Sequence, residues 1–133
     1  MQVNDSFSYV SPMLKGLEYR LNEGFKQQPE QNEVNMKLKF NVLIHEDKNL
    51  PEADVDLTCE LGGKEADYPY YLCVTETSKF RWLEELDKEK VKQLLEFNAP
   101  ALLLSFLRSI VLQVTVASPC DAFHIPFIYF TKR

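Results

Sequence analysis

The sequence predicts an α+β fold: a four-stranded antiparallel sheet, arranged as a meander, with one long C-terminal helix packed on it. Three observations carry that prediction. Apolar and polar residues alternate in three successive segments, the period-two pattern of a half-buried strand. A fourth, less regular segment of the same kind follows them. An apolar stretch then starts at Asn98-Ala99-Pro100, runs to Ala117 and gives way to an aromatic tail ending at Phe130. The whole chain reads as a single domain, 1–133, with a frayed N-terminus at 1–11, the sheet at 12–81, a helical region at 87–117 and an extended apolar tail at 118–133.

The strands follow in order. After the polar residues 1–11, Leu17, Tyr19 and Leu21 alternate with Glu18, Arg20 and Asn22, which predicts a strand near 13–25 despite the weakening effect of Gly16 and Gly24. A polar connection at 26–32 leads to the clearest element, near 33–46. There Val34, Met36, Leu38, Phe40, Val42 and Ile44 share one face, and Asn35, Lys37, Lys39 and Asn41 the other, as in a sheet with one solvated side. In the third strand, near 53–61, Val55, Leu57, Cys59 and Leu61 face inward while Asp54, Asp56, Thr58 and Glu60 face out. Gly62-Gly63 opens a turn region that runs to Pro69. In the fourth strand, near 69–81, Tyr70, Leu72 and Val74 compete with Tyr71, Cys73 and Thr75 for the inner face. Short connections between consecutive strands argue for the antiparallel meander.

Asp87 to Phe97 reads as a short helix with Asp87 at its N-cap. Asn98 is expected to cap the long helix near 98–117, where Pro100 in the first turn sacrifices no intrahelical bond. At about 100° per residue, Leu103, Leu104, Phe106, Leu107, Ile110, Val111, Val114 and Ala117 cover an arc of roughly 160°. One small sheet does not cover so broad an arc, so Leu104, Leu107, Val111 and Val114 are expected to carry homo-oligomerisation. The β-branched run 111–116 leaves a fifth strand as the competing reading. The tail from Phe123 to Phe130 is too apolar for a free end and is expected to dock back on the fold.

Composition narrows the function. Fifteen basic and twenty acidic residues give a net charge of −5, which disfavours binding to nucleic-acid phosphates. Cys59, Cys73 and Cys120 have no C-x-x-C spacing and fit buried thiols in a reducing cytoplasm. The N-terminus lacks the basic flank and apolar core of a signal peptide. Membrane insertion of 99–117 is not expected: each Leu, Ile, Phe or Val contributes about −0.3 to −0.6 kcal/mol, but central Arg108 costs about 2.5–3.5 kcal/mol, and Pro100, Ser105, Ser109 and Gln113 bring the sum near zero. His45 and His124 form no catalytic constellation, and no phosphate-binding, dinucleotide or H-x-x-x-H motif occurs, so neither an enzyme nor a cofactor or metal site is expected.

What remains is apolar surplus and an acidic row. Phe25, Trp82, Phe127 and Tyr129, at strand ends and in the tail, are the candidates to line a groove for extended polypeptide. Asp54, Asp56 and Glu60, with Glu18, are the candidates to dock a basic partner on a flat sheet face.

The chain resembles the SecB family of bacterial export chaperones. The resemblance spans Met13 to Phe130 and rests on Tyr71-Leu72-Cys73-Val74, on Asn98-Ala99-Pro100-Ala101-Leu102-Leu103, and on Ile125-Pro126-Phe127-Ile128-Tyr129-Phe130, with order and spacing agreeing better than residue identity. It implies a four-stranded antiparallel sheet with a helix on one face, and assembly into dimers or dimers of dimers that join sheets edge to edge and sandwich the long helices. It also implies a cytoplasmic, ATP-independent holdase for unfolded or nascent polypeptides, working with a SecA-like motor in export or with a toxin–antitoxin partner. The alternative is an adaptor that binds one dedicated protein through its sheet face. Three departures bear on this. Ser78-Lys79 replaces the family's glycine pair, Lys37 and Lys39 dilute the acidic face, and the chain stops at Arg133, where SecB continues into a second helix and a SecA-binding end. The holdase role therefore carries over better than delivery to SecA.

Overall fold

In the computed structural model, which describes residues 6–25, 35–45, 50–65 and 67–130, five antiparallel strands form one sheet. They are β1 (Phe7–Tyr9), β2 (Met13–Leu21), β3 (Met36–Ile44), β4 (Glu52–Gly62) and β5 (Tyr70–Trp82). The expected α+β fold is present, with a long C-terminal helix on one face of the sheet. Strands β3, β4 and β5 succeed one another as a meander.

The first strand does not continue that meander. It lies against the far edge of β5, with Leu17 opposite Val74 and Tyr19 opposite Leu72, which is a Greek-key placement. Strand β5, the longest at 13 residues, thereby has both edges paired. The frayed start expected at 1–11 is also corrected in part: Phe7–Tyr9 pairs with Phe80–Trp82 beyond the end of β2. Apolar Phe7 stacks there on Trp82, with ring centroids 6.3 Å apart, and gains a hydrophobic seat that a local reading of residues 1–11 does not anticipate.

Register settles which side of β5 faces inward. Antiparallel partners directly opposite one another share a face, and Leu61 and Cys59 of β4 stand opposite Leu72 and Val74. Tyr70, Leu72, Val74, Glu76, Ser78 and Phe80 therefore form the inner row, all buried. On β4, Ala53, Val55, Leu57, Cys59 and Leu61 are each 0% exposed. Gly62 ends β4 at φ +67°, and a Cβ there would lie 2.1 Å from the Tyr70 carbonyl oxygen, so only glycine turns this corner without displacing backbone.

The helical region is one continuous body: α1 (Lys88–Gln93), a π-helical turn (Leu94–Asn98) and α2 (Ala99–Ala117). Asp87 sits at the start of α1 and its carbonyl accepts the Val91 N–H, but its side chain makes no capping bond. Asn98 is not a cap, since its backbone is helical and its side chain caps nothing. The helix passes through Pro100 because the wider π turn before it relieves the clash a proline ring makes with the preceding turn. Residues 111–116 are helical, which excludes the fifth-strand reading.

Helix α2 packs on β4 and β5 through Leu103, Leu104, Leu107, Val111 and Thr115. The run 88–117 is long and apolar enough to cross a membrane by length and composition, and here that apolar face covers the sheet. The extended tail docks back as expected. Ile125 is buried in the core, Phe123 donates its N–H to Thr115 Oγ1 at 2.9 Å, and Arg108 Nη2 donates to the Pro126 carbonyl at 2.7 Å.

Candidate functional site

The helical layer is narrower than the sheet, and the mismatch opens a groove. Phe40, Val42 and Ile44 occupy the inner face of β3, opposite Leu57, Val55 and Ala53 of β4. Those β4 residues are completely covered, yet Val42 and Ile44 are 37% and 41% exposed, because α2 reaches only as far as β4. On the other wall Val91 and Leu95, one helical turn apart, point from the helix toward the sheet. Leu50, Trp82 and Leu86 close the end of the groove, and Lys88, Lys92, Glu84 and Glu96 stand on its rim. Its volume is about 880 Å³. Along its open side, β3 pairs with β4 only, among the described residues, so the far edge of β3 presents unpaired main-chain donors and acceptors.

Of the four aromatic candidates, the structure brings only Trp82 into this groove. Phe25 is half-buried just beyond β2, its N–H donated to the Asn22 carbonyl. Phe127 and Tyr129 are 74% and 76% exposed on the tail and meet edge to face at 4.7 Å. The groove residues Phe40, Val42 and Ile44 were legible as one strand face. Their alternation carries no mark of where the covering layer ends, so they read as core.

The acidic row lies on the face of the sheet away from the helix, but it is neutralised from within. Lys15 pairs with Asp56 at 2.6 Å, Lys64 with Glu18 at 3.8 Å, and Lys79 approaches Asp54 at 4.0 Å. His45 Nε2 lies 2.7 Å from Asp54 Oδ2, and Lys37 is directly across the ladder from Glu60. Burial pushes the Asp56 carboxyl up, but hydrogen bonds from Lys15 and Thr77 outweigh it and hold the group below the ordinary carboxylate value. Glu52, at the head of β4, behaves likewise: burial raises it, and Arg81 and Lys79 together lower it further than that. The face is one of mixed, paired charge, not an acidic field.

The helix residues expected at an oligomer interface need a correction. Leu104, Leu107 and Val111 are buried against this chain's own sheet, and Val114 is half-buried beside them. Strands β4 and β5 cover the centre of the apolar arc and leave Phe106 and Ala117, at its margin, exposed. The opposite side of α2 is what stays open, with Phe106 and Val116 exposed, Leu102 and Leu112 half-buried, and Ser105, Ser109 and Gln113 between them.

Chemically the described residues offer recognition surfaces and no cluster of three His, Cys, Asp or Glu side chains able to hold a metal ion. Burial pushes the Cys59 thiol up to about 12, so it stays protonated and acts as a core apolar group. Tyr70 is likewise raised to about 12 by burial.

Comparison with known proteins agrees with this architecture. The family profile described as preprotein translocase subunit SecB matches residues 17–132. Among solved structures, the fold is similar to the SecB-like chaperone of Mycobacterium tuberculosis in complex with a ChAD peptide from the HigA1 antitoxin, with a TM-score of 0.70 and 10% identity, over 92% of this chain and 88% of that one. A protein of unknown function from Streptococcus agalactiae aligns at a TM-score of 0.45 and 12% identity, over 91% of this chain and 97% of that one. No curated protein matches in sequence.

Proposed function

Because the chain belongs to the SecB family, and is a chaperone by that membership, we propose that it holds unfolded or nascent polypeptide in the groove between β3 and α1, without ATP and in the cytoplasm. The observation that carries this reading is an apolar groove laid along an unpaired strand edge. An extended segment there can place alternate side chains in the groove while its backbone bonds to β3, a mode of binding that demands apolarity but no particular sequence. Three large apolar side chains fully buried contribute about 5–9 kcal/mol, and ordering the segment removes about 2–5 kcal/mol of that. Affinity per groove is then modest, which suits a holdase that must release its client, and several copies acting together raise it by avidity. We place self-association on the open side of α2, around Phe106 and Val116.

The second reading, a dedicated partner such as an antitoxin, is favoured by the peptide bound to the mycobacterial relative. It uses the same groove. The paired charges on the opposite sheet face support the groove over that face as the binding surface, and they give little support to a salt-dependent encounter with a basic motor.

The test is suppression of aggregation of a denatured model protein by wild type and by a Val42→Asp/Ile44→Asp variant. Both positions are exposed, so the fold should survive. Loss of protection with an unchanged circular dichroism spectrum is the expected result, and undiminished protection would overturn the groove assignment.

A further inference from the structure

The inner face of the sheet contains one carboxyl group that neither the core nor the groove explains. Glu76 sits at the middle of β5, between Val74 and Ser78 along the strand, with Leu57 of β4 and Leu14 of β2 directly across from it. It is 2% exposed, and its Oε2 touches neither solvent nor a hydrogen-bond partner. The charged residues of the surrounding strands point the other way. Lys15, Glu18 and Arg20 of β2, Asp54, Asp56 and Glu60 of β4, and Lys79 and Arg81 of β5 all lie on the opposite face. Arg108, the single charged residue of α2, donates from Nη2 to the Pro126 carbonyl and keeps its Nε buried without a partner, and it makes no ion pair with Glu76. The other titratable groups of the inner face are Tyr9, Tyr19, Tyr70 and Cys59, and burial pushes Cys59 and Tyr70 up to about 12. Burial is the one cause acting on the Glu76 carboxyl, and it pushes the pKa up.

The cover over Glu76 is uneven. Helix α2 is seated on β4 and β5 by a row of fully buried side chains. The edge strand is held less firmly: it breaks at 10–12, which includes Pro12, it is irregular between Leu14 and Gly16, and Leu14 is 51% exposed. Two bonds tie the break to the strand beside Glu76, and the exposed ion pair from Lys15 to Asp56 ties the start of β2 to β4. The Val10 N–H donates to the Lys79 carbonyl, and the Ser78 hydroxyl donates to the Val10 carbonyl. The element that can move at least cost is therefore the edge, not the helix.

We propose that residues 10–16 form a pH-sensitive lid over Glu76, closed while the carboxyl is protonated and released when it ionises. The closed state binds the proton more tightly than the open one. It is therefore favoured fully below the ordinary glutamate value of about 4.3, and it loses ground as pH rises toward the raised closed-state value, above which the effect levels off. Opening exposes the carboxyl, which is 2% exposed when the edge is closed.

Amide hydrogen exchange on the full chain between pH 5 and 8, corrected for intrinsic base catalysis, reads the lid at the Val10 amide and at the β2 amides that bond to β5. In wild type the opening constant should rise by up to tenfold per pH unit before it levels off. In Glu76→Gln it should stay flat, and Glu76→Leu gives the same comparison if the amide variant does not fold. Throughout, the amides between β4 and β5 should keep their protection. Identical pH dependence in wild type and variant would overturn the lid. So would a pH-dependent loss of protection spread equally over β4 and β5, because that would mark global unfolding.

Discussion

The hydroxyl of Thr115 joins the end of α2 to the tail: Oγ1 accepts the Phe123 N–H at 2.9 Å while donating to the Val111 carbonyl at 2.8 Å. Thr115 is completely buried, so this bond is made away from water and both partners depend on it.

Thr115→Val removes the hydroxyl at nearly constant shape and leaves the Phe123 amide unpaired. The expected cost is about 1–3 kcal/mol in urea unfolding. Limited proteolysis should cut the tail sooner, and Thr115→Ser should restore most of the loss.

Leu107→Ala separates the core from the assembly surface. Leu107 is 0% exposed within one copy, so the substitution should cost about 2–5 kcal/mol of domain stability. Phe106→Asp, on the open side of α2, should leave stability within about 0.5 kcal/mol and reduce self-association instead. Sedimentation velocity alongside denaturant unfolding distinguishes the two effects.

Asp56 sets part of the acid limb of stability. Its carboxyl is held below the ordinary value, so its contribution is complete above about pH 4 and is lost as pH falls through the depressed folded-state value. Asp56→Asn, and Lys15→Met by removing the partner 2.6 Å away, should both flatten stability measured from pH 5 down to 2.5.

Gly62→Ala should destabilise by about 1–3 kcal/mol or more, since a non-glycine residue at φ +67° carries backbone strain and its Cβ would meet the Tyr70 carbonyl. Thermal unfolding checks the size of the effect. Gly16→Ala, where an added Cβ meets nothing within 4 Å, is the neutral control.

How much of this was legible varies by element. The alternation of Val55, Leu57, Cys59 and Leu61 reads directly as β4, and the apolar stretch after Asn98 as α2, because each pattern is written in neighbouring residues. The inner face of β5 was ambiguous because Tyr71, Cys73 and Thr75 rival Tyr70, Leu72 and Val74 along the strand, and only the register with β4 resolved it. The π turn at 94–98 left no mark beyond Pro100, and Asn98 looked like a cap for that reason. Trp82 could be picked out as an aromatic at a strand end, whereas Val42 and Ile44 looked like ordinary core.

By itself the sequence determined the four long strands β2 to β5, the inward side of β3 and β4, and the return of the tail onto the fold. These follow from period and apolarity along a few residues at a time. The tertiary structure decided that the first strand lies beside β5, that Leu104, Leu107 and Val111 are spent on this chain's own sheet, and that Phe40, Val42 and Ile44 stay open to a groove. Those outcomes depend on how wide one layer is against another, a property of surfaces far apart in sequence that meet only when the chain is folded.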